Sequence, residues 1–153
     1  MATTTATITL SSSDLLTDNL SLSSTMNLYQ NGTTATGLDE MRYHRLVIPT
    51  GVHYDLIQDS TALSEDASYV YIINKNTDVT DYVKIHINSE EIGRLYAGDW
   101  LFMPWDNDLT DEASVYDQTG NDSSIEIQAF THEHVIEFAL FHNGETLQTS
   151  QDT

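Results

Sequence analysis

Apolar residues return at every second position along much of this chain, and no other feature constrains its fold as strongly. Leu20, Leu22, Met26 and Leu28 share one parity, with Ser, Thr and Asn between them. Val83, Ile85 and Ile87 repeat the pattern, as do Ile125, Ile127 and Ala129, and then Ile136, Phe138 and Leu140. Successive side chains of a strand point to opposite faces, so each run describes an extended segment with one apolar face. Turn chemistry falls between the runs, at Asn31-Gly32, Thr50-Gly51, Asn74-Lys75-Asn76, Asn88-Ser89-Glu90, Ala97-Gly98-Asp99, Gly120-Asn121 and Asn143-Gly144. Connections this short cannot carry parallel crossovers. The expected fold class is therefore all-β, a single β-sandwich of jelly-roll type. Helical spacing is nearly absent; its best instance, residues 38–47, is short and runs into Pro49.

A chain of 153 residues fits one such domain with an extended arm. Residues 1–37 are dense in Thr, Ser, Asn and Gly and bury too little apolar area to fold alone. They still alternate, with Ala6, Ile8 and Leu10 on one parity. Such a segment is expected to serve as an N-terminal arm, either an edge strand of its own domain or a strand exchanged with another subunit. Residues 38–145 make up the sandwich and residues 146–153 a polar tail. Trp100, Phe102 and Pro104 hold one parity and Leu101, Met103 and Trp105 the other, so this strand is apolar on both faces. In a domain this small the second cover is expected to be another chain, which makes Trp100 and Trp105, with Ala6, Ile8 and Leu10, candidate interface residues.

Charge excludes two classes of partner. Five Lys and Arg against 24 Asp and Glu give a formal charge of −19, which repels phosphate backbones and anionic lipid. The basic residues Arg42, Arg45, Lys75, Lys84 and Arg94 form no run and are not interleaved with stacking aromatics. Neither nucleic acid nor membrane is expected as a partner. Without cysteine there is no disulfide, thiolate metal site or thiol nucleophile. Residues 1–10 lack a basic n-region followed by an apolar run, so synthesis in the cytoplasm is expected, and the sequons at Asn31 and Asn121 read as turns.

His132-Glu133-His134 is the most suggestive chemical cluster, because residues i and i+2 of a strand face one way and two imidazoles can share a metal. A cupin pairs such a motif with a downstream Glu, but Glu137 lies three residues after His134 and faces the other side. The alternative metal geometry has His132 and His134 from three chains meeting on a threefold axis. Packing at a strand rim is the simpler expectation, leaving the pair as weak metal candidates and no cofactor implied. Acid pairs such as Glu90-Glu91 and Asp111-Glu112 read as solvated surface, and Asp106-Asn107-Asp108 supplies only the start of a calcium loop. No nucleophile elbow or phosphate-cradling loop occurs, and no enzyme is expected.

Residues 69–77 (Tyr-Val-Tyr-Ile-Ile-Asn-Lys-Asn-Thr), residues 81–89 (Asp-Tyr-Val-Lys-Ile-His-Ile-Asn-Ser) and above all the block Ile92-Gly93-Arg94-Leu95-Tyr96-Ala97-Gly98-Asp99-Trp100, with Phe102-Met103-Pro104-Trp105, resemble small virion structural proteins of marine tailed phages. The resemblance covers about half the chain, together with its Thr-rich start. It implies a β-sandwich built into the particle, with no catalytic residues, and His132-Glu133-His134 is a departure from it. The expected role is a capsid decoration or cement protein, a trimeric homo-oligomer bound to the major capsid protein on the capsid exterior of the virion. A tail, neck or fibre component is the near alternative. A carbohydrate-binding sandwich stacking sugars on Trp100, Trp105 and Tyr116 is the alternative from another class.

Overall fold

In the computed structural model, residues 4–14, 20–30, 32–38, 40–57, 68–105 and 124–142 are described. They form ten strands and, among them, no helix: β1 (Thr4–Ser12), β2 (Leu20–Leu28), β3 (Glu40–Ile48), β4 (His53–Ile57), β5 (Tyr69–Asn74), β6 (Tyr82–Ile87), β7 (Glu90–Tyr96), β8 (Trp100–Pro104), β9 (Ile125–Ala129) and β10 (His134–His142). The chain divides into two compact units, Met1–Glu40 with Asn143–Thr153, and Met41–His142.

The second unit is a sandwich of two four-stranded antiparallel sheets, ordered β3-β10-β5-β8 and β4-β9-β6-β7. Consecutive strands from β3 to β5 and from β8 to β10 alternate between the sheets, which is the wrapping of a jelly roll. Alternation does the work the sequence promised. Val70 and Ile72 of β5, Val83 and Ile85 of β6, Ile125 and Ile127 of β9, and Ile136, Phe138 and Leu140 of β10 all point between the sheets and are buried. Burying each such side chain contributes about 1.5–3 kcal/mol, so this cluster is what holds the sheets together. Ile48 of β3 joins this cluster, with Leu46 packed against it. Residues 38–47, the best helical reading of the sequence, are mostly β3: a strand hydrogen-bonded to β10 with Ile48 in the core outweighs weak local helix spacing.

β1 and β2 pair with each other, Thr4 opposite Leu28 through Ser12 opposite Leu20, as a two-stranded antiparallel sheet. Matching alternation explains this, since pairing in this register puts every apolar residue of both strands on one face. Thr7 with Thr25 and Thr9 with Ser23 hydrogen-bond across the other face, at 2.9 and 3.3 Å.

Positive φ occurs where the turn signals lie. Asn88 (51°) and Ser89 (68°) both adopt it, the requirement of a two-residue type I′ hairpin linking β6 to β7. Gly51 and Gly98 supply it at φ 75° and 83° for the turns before β4 and β8. Gly120, Asn121, Asn143, Gly144 and the tail at residues 146–153 lie outside the described residues.

Candidate functional site

Three places in the molecule concentrate side chains that could act. At one end of the sandwich the turn after β5, the turn after β7 and the turn after β9 meet. Asn74 ties them together: its backbone amide donates to Asp99 O (3.0 Å), its carbonyl accepts from Gly98 N (2.8 Å), and its side-chain Nδ2 donates to Leu95 O (3.0 Å). Asn76 continues the lacing, accepting from Val135 N at 3.0 Å and donating to Glu133 O at 3.3 Å.

Asp81 sits within this end, buried, and accepts from the Thr131 hydroxyl, from the Tyr82 amide at 2.9 Å and from His132 Nδ1 at 2.9 Å. Thr131 first, and then His132 and the Tyr82 amide, outweigh the effect of burial and hold the carboxyl down at about 2. His134 is wholly buried, whereas the His132 side chain is 73% exposed. His134 Nε2 lies 3.2 Å from Asp81 Oδ2 but off the line a hydrogen bond needs, and its Nδ1 faces Asn74 Oδ1 at 3.4 Å. The His132/His134 pair singled out in the sequence is therefore brought together, but around a carboxylate 51 residues from His132 that strand periodicity could not reveal. Asp81 Oδ2 thus lies within 2.9 Å of one ring nitrogen and 3.2 Å of the other. Among the described residues no group of three His, Cys, Asp or Glu side chains is arranged to hold a metal ion. Glu137 faces away from His134, as its parity requires, and pairs with Arg45 at 3.4 Å and Lys75 at 4.0 Å. What this cluster does chemically is clamp three turns with hydrogen bonds.

The outer face of the β4-β9-β6-β7 sheet is polar. Lys84 and Arg94 bracket Glu91 at 2.7 and 3.2 Å, and both hold its carboxyl below its ordinary range. Arg94 also lies 4.6 Å from the centre of the Tyr82 ring. Beside them Glu126 accepts from His53 (3.1 Å), Ser124 (3.1 Å) and Ser89 (3.2 Å). Burial pushes this carboxyl up, but the three hydrogen bonds prevail and its pKa is lowered. His86, 4.8 Å from the His53 ring, is buried with Nδ1 lacking a partner; burial first, then His53, lowers its pKa.

The outer face of the β3-β10-β5-β8 sheet is the opposite in character. Register places Tyr69, Tyr71 and Ile73 of β5 beside Pro104, Phe102 and Trp100 of β8, with Phe141 and Ala139 of β10 on their other flank. Tyr69 stacks on Phe102 at 5.5 Å, Phe102 meets Phe141 edge-on at 6.1 Å, and Tyr71 lies 6.3 Å from Trp100. On β3, Met41, Tyr43 and Val47 are more than half exposed, as is Trp100 on β8. Among the described residues Arg45, Lys75 and Glu137 bring charge to this face, and the Tyr43 hydroxyl bonded to Glu137 has its pKa pushed up.

The two tryptophans thus part. Trp100 is exposed on the aromatic face, whereas Trp105 is 6% exposed and belongs to the core, with no surface to offer a partner or a sugar. One residue of a strand apolar on both sides must face inward, and parity alone does not say which. Tyr116 lies outside the described residues. On the hairpin, Ile8 and Leu10 are exposed together with Leu22 and Met26, which sequence reading had placed in a half-buried strand; Ala6 lies on the same face opposite Met26.

The sequence matches no protein-family model and no curated protein. No helix among the described residues is long and apolar enough to cross a membrane.

Proposed function

We propose that this protein is a structural component of a virion, a capsid decoration or cement protein that binds neighbouring capsomers of the major capsid protein and assembles as a homo-oligomer. One observation carries the reading: β1 and β2, nine residues each with no charged side chain, pair as a two-stranded sheet that leaves Ile8, Leu10, Leu22 and Met26 of its apolar face exposed. A lone two-stranded hairpin is marginal in water, so a ribbon of this kind is stabilised by what it packs against. Use as an arm that engages a neighbouring subunit supplies that partner. The sequence resemblance to small phage virion proteins and the acidic remainder of the chain fit a protein displayed on a crowded particle surface.

The test is the copy number of this chain in purified particles, measured by quantitative mass spectrometry against the major capsid protein. Hundreds of copies per particle are expected. A handful to a few dozen would place it in the tail, neck or fibres, and its absence would overturn the virion reading. A sugar-binding role has Trp100 alone in its favour among the described residues, since Trp105 is internal.

A further inference from the structure

Glu126 of β9 has a histidine from each neighbouring strand. His86 of β6 is its cross-strand partner in register, and His53 of β4 donates to it at 3.1 Å. The two imidazoles also meet each other, tilted by 41° with centroids 4.8 Å apart. We infer that this pair is an acid-operated latch on β4: protonation of His86 breaks the closed arrangement and frees the edge strand from β9, while the opposite sheet stays folded. The latch is a property of the sandwich alone and does not depend on the virion reading.

The two rings are unequal. The His53 side chain is 47% exposed and its Nδ1 is held by a carboxylate, so a positive charge there is met by water and by Glu126. His86 is 5% exposed and its Nδ1 has no partner. Neutral, this ring can carry its hydrogen on Nε2 and leave only a lone pair at Nδ1. Charged, it must place an N–H at Nδ1, where no acceptor stands and water does not reach. The surrounding charges do not remove that cost. Glu126 of β9 and Glu91 of β7 favour the charged ring, and His53 of β4 and Lys84 of β6 oppose it. Glu91 is already engaged by Lys84 at 2.7 Å and Arg94 at 3.2 Å. Glu126 is engaged by His53, Ser124 and Ser89, and Asp55 of β4 lies opposite it in register. Burial, reinforced by His53, prevails, and His86 titrates below its ordinary value. A group depressed in this way takes up its proton when the structure around it opens, so acid favours the open state.

Of the two strands that carry the rings, β4 is the one that can leave. β6 lies between β9 and β7 and buries Val83 and Ile85 in the core. β4 is a five-residue edge strand that pairs, among the described residues, with β9 alone. Its register breaks between Asp55 and Ile57, and it holds the core through Leu56, with Tyr54 packed partly against it. Gly51 N donates to Ala129 O at 2.7 Å just before β4, so the strand is tethered at its start and swings from there. Short edge elements with few buried side chains are where native proteins open first. Opening separates the two rings, hydrates His86 and bares the backbone edge of β9.

The test is amide hydrogen exchange of the full-length chain between about pH 7.5 and about pH 5, read by NMR as protection factors so that the intrinsic pH dependence of exchange divides out. On acidification the amides of β4, and those of β9 bonded to them, are expected to lose protection, while β5, β8 and β10 of the other sheet keep theirs. Uptake of one proton on opening sets the slope, up to about tenfold per pH unit below the ordinary histidine value of 6.5. His86→Gln cannot take up that proton and should hold β4 protected at both ends of the range. His53→Gln can still donate to Glu126 but carries no charge; with one cause of the His86 shift gone, the loss should shrink. Four results each overturn the proposal: wild-type β4 protection that acid leaves unchanged, a loss shared equally by β10, a loss that survives in His86→Gln, or one that His53→Gln leaves at full size. If circular dichroism shows His86→Gln unfolded, the wild type and His53→Gln decide between them.

Discussion

Replacing Asp81 with Asn keeps the shape of the side chain and removes a charge from the laced end of the sandwich. The carboxylate accepts from Thr131, His132 and the Tyr82 amide, which set its pKa at about 2 against 3.8 for the free side chain. A group depressed on folding lends stability above its unfolded pKa and loses it as pH falls through the folded one. At about 1.4 kcal/mol per pK unit, the difference corresponds to at most ~2.4 kcal/mol at neutral pH. Screening by solvent at the rim of the turns lowers the expected loss to roughly 1–2 kcal/mol. Urea unfolding of wild type and variant, followed by tryptophan fluorescence because Trp105 is in the core, measures it. Subtracting the two curves cancels the titration of the chain's many other acids. The difference should hold from neutral pH to about pH 5 and fall to about half by pH 3. A difference equal at neutral pH and pH 3, or none at any pH, refutes the claim that this charge binds the turns together.

Further outcomes follow from other parts of the molecule. Deleting residues 1–10 removes most of β1 and should leave the sandwich folded, with near-native urea stability but weakened oligomer and capsid binding; an unchanged oligomer and unchanged binding would defeat the arm reading. Asn88→Val places a β-branched residue at φ 51° and removes the acceptor for Ser124 N, costing about 1–3 kcal/mol by denaturant unfolding. Ile85→Ala, inside the core, should cost about 2–5 kcal/mol, whereas Ile92→Ala at the exposed bulge should cost under about 0.5. His86 has a lowered pKa, so its contribution is present above the unfolded value of 6.5 and declines as pH falls below it; His86→Gln should flatten that part of the pH-stability curve.

Strand periodicity made the fold class legible because a side chain's face in a sheet is a local property, set by parity along a single strand. The buried positions of β6, β9 and β10 follow from it, as does the outward turn of Glu137. A turn at Asn88-Ser89-Glu90 was legible for the same reason, whereas its two-residue type I′ form shows only in the positive φ of Asn88 and Ser89. What is not local was decided by tertiary structure. Parity shows that β8 is apolar on both faces, but only packing against the opposite sheet puts Trp105 inside and leaves Trp100 outside. The apolar alternation of residues 20–28 is the same signal as that of β6, yet its strand pairs with β1 in a two-stranded sheet, where Leu22 and Met26 stay exposed and only Leu28 is buried. His132 and His134 are neighbours in sequence, and the carboxylate that unites them arrives from the turn before β6, across a contact that topology creates. Alternation along a strand states which side chains must be covered; only the arrangement of strands in space decides what covers them.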